Sequence, residues 1–190
     1  MTRINVVPPT ELCDQHLLAE HRELTRIPHM IYKGRVKLEG IPSKYTVQTA
    51  DNPKGGEGHV RFFYDKLKYL FERYVEINHE CSCRGFNVTD IWSEEEERHF
   101  RGTNLWNDYE PTEEAIFLNR KRILERMPND ARWAWPSVRP QWALEPQQYH
   151  LPFTQWEEDR IRRLSRDDAN SRTRTNFRSY YRRPEIAVAE

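Results

Sequence analysis

Long apolar runs, cysteine and net charge are all scarce in this chain of 190 residues. No apolar stretch approaches the roughly 20 residues that a membrane-spanning helix needs, and none near the N-terminus resembles a signal peptide. The cysteines number three, and an odd number argues against a disulfide framework. These absences predict a soluble protein of the cytoplasm, without a membrane partner.

A metal site is the one role that the cysteines suggest. Cys81 and Cys83 follow His79 in an H-x-C-x-C pattern. The segment is predicted to continue a helix, on which residues two apart face different directions, and no second ligand pair lies nearby. We therefore expect no metal ion and no cofactor.

Net charge is absent because 30 basic and 30 acidic side chains cancel. A nucleic-acid-binding protein commonly has a basic excess, so the distribution of charge matters more than its sum. Acidic residues concentrate at 94–97, in a predicted loop, and basic residues concentrate at 120–126. Residues 172–183 contain five arginines, three aromatic residues and no acidic residue. That composition suits nonspecific contact with nucleic acid, and equally a solvated tail or one that packs back on the body.

Residues 10–27 have the periodicity of an amphipathic helix. Arg22 and Arg26 are like charges one turn apart, which repel each other by a few tenths of a kcal/mol unless an anionic partner is present. Two such guanidiniums can hold adjacent phosphates, with a carboxylate between them close to the sugar; a solvated helix face is the alternative. The apolar side consists of Cys13, Leu17, Leu18, Leu24 and Ile27, and the polar side of Gln15, Ala19, Arg22, Glu23 and Arg26.

The remaining pattern predicts two further long helices and a fold that is mainly α. Pro28 should bend or end the first helix, and the second should begin near Asp65 and end before Gly85. Residues 50–57 should form an exposed, turn-rich segment, and residues 88–107 an irregular one. The third helix should cover 112–127, with Ile116, Ile123 and Met127 inward and Asn119, Arg122 and Arg126 outward.

This organisation amounts to a single compact domain built on three principal helices with long irregular connections. We assign residues 1–142 to that domain and residues 143–190 to a C-terminal extension. A T-x-x-E capping box at 154–157 predicts a short helix in the extension, before the basic tail.

The N-terminus itself is a candidate nucleophile. Thr2 is small enough to permit removal of Met1, which would expose the Thr2 α-amino group. That group has a pKa of about 7.7 to 8.0, against about 10.4 for lysine, so roughly a quarter of it is neutral near pH 7.4. A neutral amine can attack an electrophilic carbon and form an imine. Every chain has an N-terminus, so the surrounding residues must support this role.

Five segments of the sequence together form a set of motifs with a defined order and spacing. They are MTRIN at the start, ELCDQHLLAEHREL at 11–24, GHVRFFYDKLKYL at 58–70, CRGFN at 83–87 and NDYEPTEEA at 107–115. In order and spacing they resemble the pyrimidine-dimer DNA glycosylase/AP lyase family, of the viral "endonuclease V" type. Such a set is far more specific than an isolated motif.

The resemblance implies a bifunctional glycosylase and AP lyase that acts on double-stranded DNA containing pyrimidine dimers, with no obligatory protein partner. It implies that Thr2 supplies the attacking amine and that Glu23 is the catalytic carboxylate. Residues 50–57 would be an insertion relative to the family pattern. The implied DNA-binding residues are Arg3, Gln15, His16, Arg22, Arg26, Arg122 and Arg126.

Three other interpretations remain open. One is a glycosylase of the same mechanism for a different lesion or modified base. Another is a noncatalytic DNA-binding protein on the same scaffold, against which the presence of Thr2 and Glu23 argues. The last is a metal-dependent nuclease, which the lack of a carboxylate cluster of the two-metal kind disfavours.

Overall fold

The computed structural model describes residues 4–133 and 140–143, and in these residues the chain forms helices and no strands. The three longest helices are α1, α3 and α5, which confirms a mainly α fold on three principal helices. Thr2, Arg3, the predicted helix at 154–168 and the basic tail lie outside the described residues. The helices are α1 (Asp14–Leu24), α2 (Arg26–Tyr32), α3 (Leu67–Cys83), α4 (Glu94–Phe100) and α5 (Glu113–Glu125), with short 3-10 turns at Pro9–Glu11, Arg61–Phe63 and Gln141–Ala143.

The core forms where α1 packs against α3. Leu17 and Leu24 of α1 and Leu70 and Ile77 of α3 belong to this core, and all four are fully buried. Each such side chain contributes roughly 1.5–3 kcal/mol on burial. The predicted sides of α1 are confirmed, because its five apolar residues are buried and its five polar-side residues are at least partly exposed.

A break at Thr25 divides the first predicted helix into α1 and α2. Pro28, the third residue of α2, has no backbone N–H to donate to the carbonyl of Leu24, and its ring would clash with that carbonyl in a continuous helix. The helix therefore bends one turn before the proline. Arg22 and Glu23 end one helix, and Arg26 begins the next.

The second long helix ends as the sequence predicts. Gly85 follows it with φ 74°, a conformation that favours glycine. The Phe86 N–H donates to the Cys81 carbonyl and the Gly85 N–H to the Ser82 carbonyl, both at 2.9 Å. Cys81 is buried and Cys83 is exposed.

The acidic run at 94–97 was predicted as a loop, and this prediction is wrong. It forms the first turn of α4, where Ser93 caps the helix and accepts a hydrogen bond from the Glu96 N–H at 3.3 Å. Four glutamates in a first turn also interact favourably with the helix dipole. The S-x-x-E spacing of Ser93 and Glu96 was the signal for this helix.

The predicted orientation of α5 is wrong at one residue. Ile123 and Met127 are buried as expected, but Asn119, predicted to face outward, is only 1% exposed. Its amide finds partners inside the protein, as described below. Residues 50–57 are turn-rich and largely exposed, as predicted. None of the helices in the described part of the chain is long and apolar enough to span a membrane.

Candidate active site

The outer face of α1 carries the charged residues that the sequence singled out. Arg22 is exposed and Glu23 is partly exposed, and Arg26 is exposed at the start of α2. The Arg22 Nε–H donates to the Leu18 carbonyl at 3.1 Å, which lays the guanidinium along its own helix. One carboxylate between two cations therefore lies on a surface open to solvent.

Residues 4–7, which precede α1, are buried and contact it. Asn5 is held by Glu20 of α1 through two hydrogen bonds. The Asn5 N–H donates to Glu20 Oε1 at 2.9 Å, and Asn5 Nδ2 donates to Glu20 Oε2 at 2.7 Å. Thr2 and Arg3, which precede this anchored segment, lie outside the described residues.

Asn119 of α5 holds the same segment from the other side. Its Oδ1 accepts from the Val6 N–H at 2.7 Å and the Val7 N–H at 3.2 Å, and its Nδ2 donates to Asn5 Oδ1 at 3.0 Å. Arg73 of α3 completes the arrangement by donating to the Val7 carbonyl. We call Asn5, Glu20, Arg73 and Asn119 the N-terminal clamp.

The clamp contains a buried ion pair. Arg73 Nε and Nη2 donate to the two oxygens of Glu20, each at 3.2 Å, and both side chains are almost wholly buried. Burial works against the charged form of Arg73, but the Glu20 carboxylate, together with Tyr69 and Glu76, holds the pKa of Arg73 above its ordinary value. Removing one partner would leave the other charge buried and unpaired, at a cost of about 3–5 kcal/mol.

Sequence reasoning missed the clamp, although a signal was present. Glu20, Arg73 and Asn119 each lie three residues after an apolar residue and four residues before another. The flanking residues are Leu17 and Leu24, Leu70 and Ile77, and Ile116 and Ile123. A polar residue at such a position faces the core and needs a partner there.

Gln15 and His16 connect α1 to the segment after α5. Gln15 Nε2 donates to the Asp130 carbonyl at 2.8 Å, and its Oε1 accepts from the Arg132 N–H at 3.1 Å. His16 is 6% exposed, and its Nε2 lies 3.2 Å from the Arg126 carbonyl. These side chains therefore contact protein, and DNA contact at both stays a prediction.

The basic group at 120–126 is largely engaged within the protein. Arg120 pairs with Glu11 at 2.7 Å and Lys121 with Asp51 at 2.7 Å, while Arg122 Nη1 donates to the Gln48 carbonyl at 2.6 Å. Arg126 is exposed just after α5. The contact of its carbonyl with His16 places it beside α1.

A cavity of about 980 Å³, separate from the charged outer face of α1 but bordered by Arg73 of the clamp, lies between residues 6–10, α3 and the loop at 108–111. Its lining includes the carboxylates of Glu72, Glu76, Asp108 and Glu110. Carboxylates repel phosphates, so this cavity does not suit a nucleic-acid backbone. Within the described residues, no three His, Cys, Asp or Glu side chains are grouped so as to hold a metal ion.

Comparison with known families assigns the chain to a class. Residues 1–94 match the family model described as pyrimidine dimer DNA glycosylase. The match covers the N-terminal segment, α1, α2 and α3, and thus Glu23 and three members of the clamp. It marks the protein as a DNA repair glycosylase. This match over residues 1–94 supports the resemblance of the chain to the pyrimidine dimer DNA glycosylase family.

Proposed function

We propose that this protein excises cyclobutane pyrimidine dimers with its own N-terminal amine and then cleaves the DNA backbone. The observation that carries the proposal is the anchoring of residues 5–7 beside Glu20, one helical turn before Glu23. Asn5 is three positions after Thr2, a separation that can span at most about 10 Å. Glu23 is about 4.5 Å further along α1 than Glu20, so an amine on Thr2 can reach it.

The chemistry follows from an amine next to a carboxylate. The Thr2 nitrogen attacks C1′ of the 5′ nucleotide of the dimer, and the bond from C1′ to the base breaks with its electron pair leaving on the base. Positive charge develops on the sugar, and the Glu23 carboxylate stabilises it. The nitrogen then loses a proton, and its lone pair forms a C=N bond as the C1′–O4′ bond breaks and O4′ takes up a proton. The product is a protonated imine between the protein and the opened sugar.

The imine then makes backbone cleavage possible. It acidifies the hydrogen on C2′, and Glu23 accepts that proton in the proposed mechanism. The electron pair forms a C2′–C3′ double bond, and the 3′ phosphate leaves by β-elimination. Water finally hydrolyses the imine and frees the amine. No step in this sequence requires a metal ion.

Phosphate binding would come from the exposed arginines. Arg22 and Arg26 flank Glu23, and Arg126 lies beside α1. Arg3, Gln15, His16 and Arg122 complete the proposed DNA-binding set, in which the last three also hold protein segments. A dimer stacks poorly, so kinking the duplex and flipping a nucleotide to reach the sugar costs less there than in intact DNA.

An excision assay on a duplex with a single defined dimer tests this proposal. In excess chelator, the chain from which Met1 has been removed should cleave the glycosidic bond of the 5′ nucleotide of the dimer and cut the strand. The cut should leave an unsaturated aldehyde at the 3′ end. A matched duplex without the dimer should stay intact. Excision of a different lesion in preference to the dimer, or cleavage that chelator abolishes, would overturn the proposal.

A further inference from the structure

We propose that Asn119 of α5 is a positioning residue for the catalytic N-terminus, an inference that rests on the proposed function. Asn119 lies beyond residue 94, outside the segment that matches the family model. It nevertheless makes three of the hydrogen bonds that fix residues 5–7. In this assignment α5 determines the position of the nucleophilic amine, although α5 carries no reacting group.

One asparagine amide suits this task because it offers both an acceptor and a donor. A single oxygen receives the N–H groups of two successive residues, Val6 and Val7, and the nitrogen bonds the Asn5 side chain that Glu20 also holds. The side chain therefore fixes both the path of the backbone and the rotamer of Asn5. Few other side chains could replace all three bonds.

Loss of the amide would displace the segment rather than merely weaken it. Val6 and Val7 are 4% and 0% exposed, so their N–H groups would be left buried without the Asn119 acceptor. An unsatisfied buried donor is costly, and the backbone would shift to relieve it. A misplacement of about 1 Å at a reacting group can reduce a rate by about 10²-fold.

DNA binding should be insensitive to the same change. Arg22, Arg26 and Arg126 are on the exposed surface, and the hydrogen bonds of the Asn119 side chain go to Val6, Val7 and Asn5. A positioning role therefore predicts slower chemistry with unaltered affinity. A purely structural role predicts that the excision rate and the affinity for DNA both fall in proportion to the loss of folded protein.

The test compares Asn119→Ala with Ile123→Ala, a control one turn further along α5. Ile123 is 2% exposed and belongs to the core, not to the clamp. Thermal unfolding midpoints are measured first, and activity is assayed below both. Asn119→Ala should lower the single-turnover excision rate at saturating enzyme by about 10²-fold and leave the dissociation constant for dimer-containing DNA near the wild-type value. Ile123→Ala should excise at nearly the wild-type rate.

Two further variants keep the test decisive if Asn119→Ala folds poorly. Asn119→Asp retains the oxygen that accepts from Val6 and Val7, so its rate should lie between those of Asn119→Ala and the wild type. Asn5→Ala removes the partner of Asn119, and its effect should be non-additive with that of Asn119→Ala.

The outcomes separate this inference from the proposed function. If the wild type excises dimers and Asn119→Ala, Asn119→Asp and Asn5→Ala all match the control, Asn119 is not a positioning residue. If the wild type itself excises no dimers, the proposed function has failed, whatever the variants do. A fall in rate that addition of more enzyme restores would indicate weakened binding and would also contradict the inference.

Discussion

Glu23 is the residue whose negative charge the proposed chemistry needs most. It lies between Arg22 and Arg26 in the sequence, and its side chain is partly exposed. The neighbouring carboxylate, Glu20, is fully buried and bound by Arg73 and Asn5. One turn of α1 therefore separates a structural glutamate from a candidate catalytic one.

Replacing Glu23 by glutamine should separate binding from chemistry. Glu23→Gln keeps the shape of the side chain but loses the charge, so excision should slow by about 10²- to 10³-fold while affinity for dimer-containing DNA persists. Single-turnover kinetics and a binding titration measure the two effects. Glu110→Gln, an exposed carboxylate at the separate cavity, serves as the control. Excision at the normal rate by Glu23→Gln would show that another carboxylate acts.

His59 makes the fold sensitive to acid. Its Nδ1 lies 2.8 Å from the Thr46 carbonyl, and burial lowers the pKa of His59 below its ordinary value of 6.5. The unfolded chain therefore takes up this proton at higher pH than the folded chain does. The stabilisation that depends on neutral His59 should be fully present above about pH 6.5. The free energy of unfolding should fall as the pH drops below that value.

Urea unfolding at pH 7.5, 6.5 and 5.5 measures this dependence. The wild type should lose unfolding free energy towards pH 5.5, and His59→Gln, which can still donate to the Thr46 carbonyl, should lose less. Equal losses in the two proteins would show that His59 does not contribute to the acid sensitivity. Burial also lowers the pKa of His21. Because His21 is present in both proteins, its contribution to the pH dependence is the same in both and cancels in the comparison.

At the scale of elements, hydrophobic periodicity predicted α1, α3 and α5, and the apolar residues that it placed inward on the first and third of these are buried or packed against the core. Periodicity reports which side of a helix meets apolar surface, but it does not identify which polar residue on that side will find a partner. The role of Asn119 depends on residues 114 positions away in the sequence, at Asn5. Only the packing of three helices around the N-terminal segment brings these residues together.

The same limit applies to the basic residues of α5. The sequence placed Arg120, Lys121, Arg122 and Arg126 in one positive group, and the fold supplies protein partners for the first three. A run of charge does not reveal its own counter-charges, here Glu11 and Asp51. The α4 helix differs, because its Ser93 cap was readable in the sequence.

Arg26 and Arg126, two of the exposed arginines on or beside α1, should bind phosphate. Arg26→Ala and Arg126→Ala should each raise the dissociation constant for DNA of any sequence. Each should also reduce, by about one unit, the slope of the logarithm of the binding constant against the logarithm of the salt concentration. Arg120→Ala, at a residue held by Glu11, is the control. Binding titrations at several salt concentrations, with damaged and undamaged duplexes, measure both quantities. Loss of lesion discrimination with undiminished affinity for undamaged DNA would contradict the assignment.

For the whole molecule, charge is segregated rather than in excess. Positive side chains lie on the α1 face, negative ones line the separate cavity, and five arginines follow at 172–183. A protein of zero net charge attracts DNA only weakly from a distance, so local positive surfaces must provide the binding.

Removal of residues 145–190 tests whether the tail provides part of that binding. The shortened chain should bind nonspecific duplex more weakly and with a smaller salt dependence, because fewer counterions are released. Excision at saturating enzyme should persist, since Thr2 and Glu23 remain. An unchanged salt dependence would show that the tail does not contact DNA.

The central claim, that the nucleophile is the N-terminal amine, can be tested directly by trapping. Incubation of the processed protein with dimer-containing duplex and borohydride should reduce the imine and leave a covalent adduct, which peptide mapping should locate on the Thr2 nitrogen. Retention of Met1 or methylation of the amine should abolish the adduct, because each blocks or moves the nucleophile and leaves the fold intact. Full trapping by a chain whose N-terminus is demonstrably extended, or an adduct on a lysine, would contradict the mechanism.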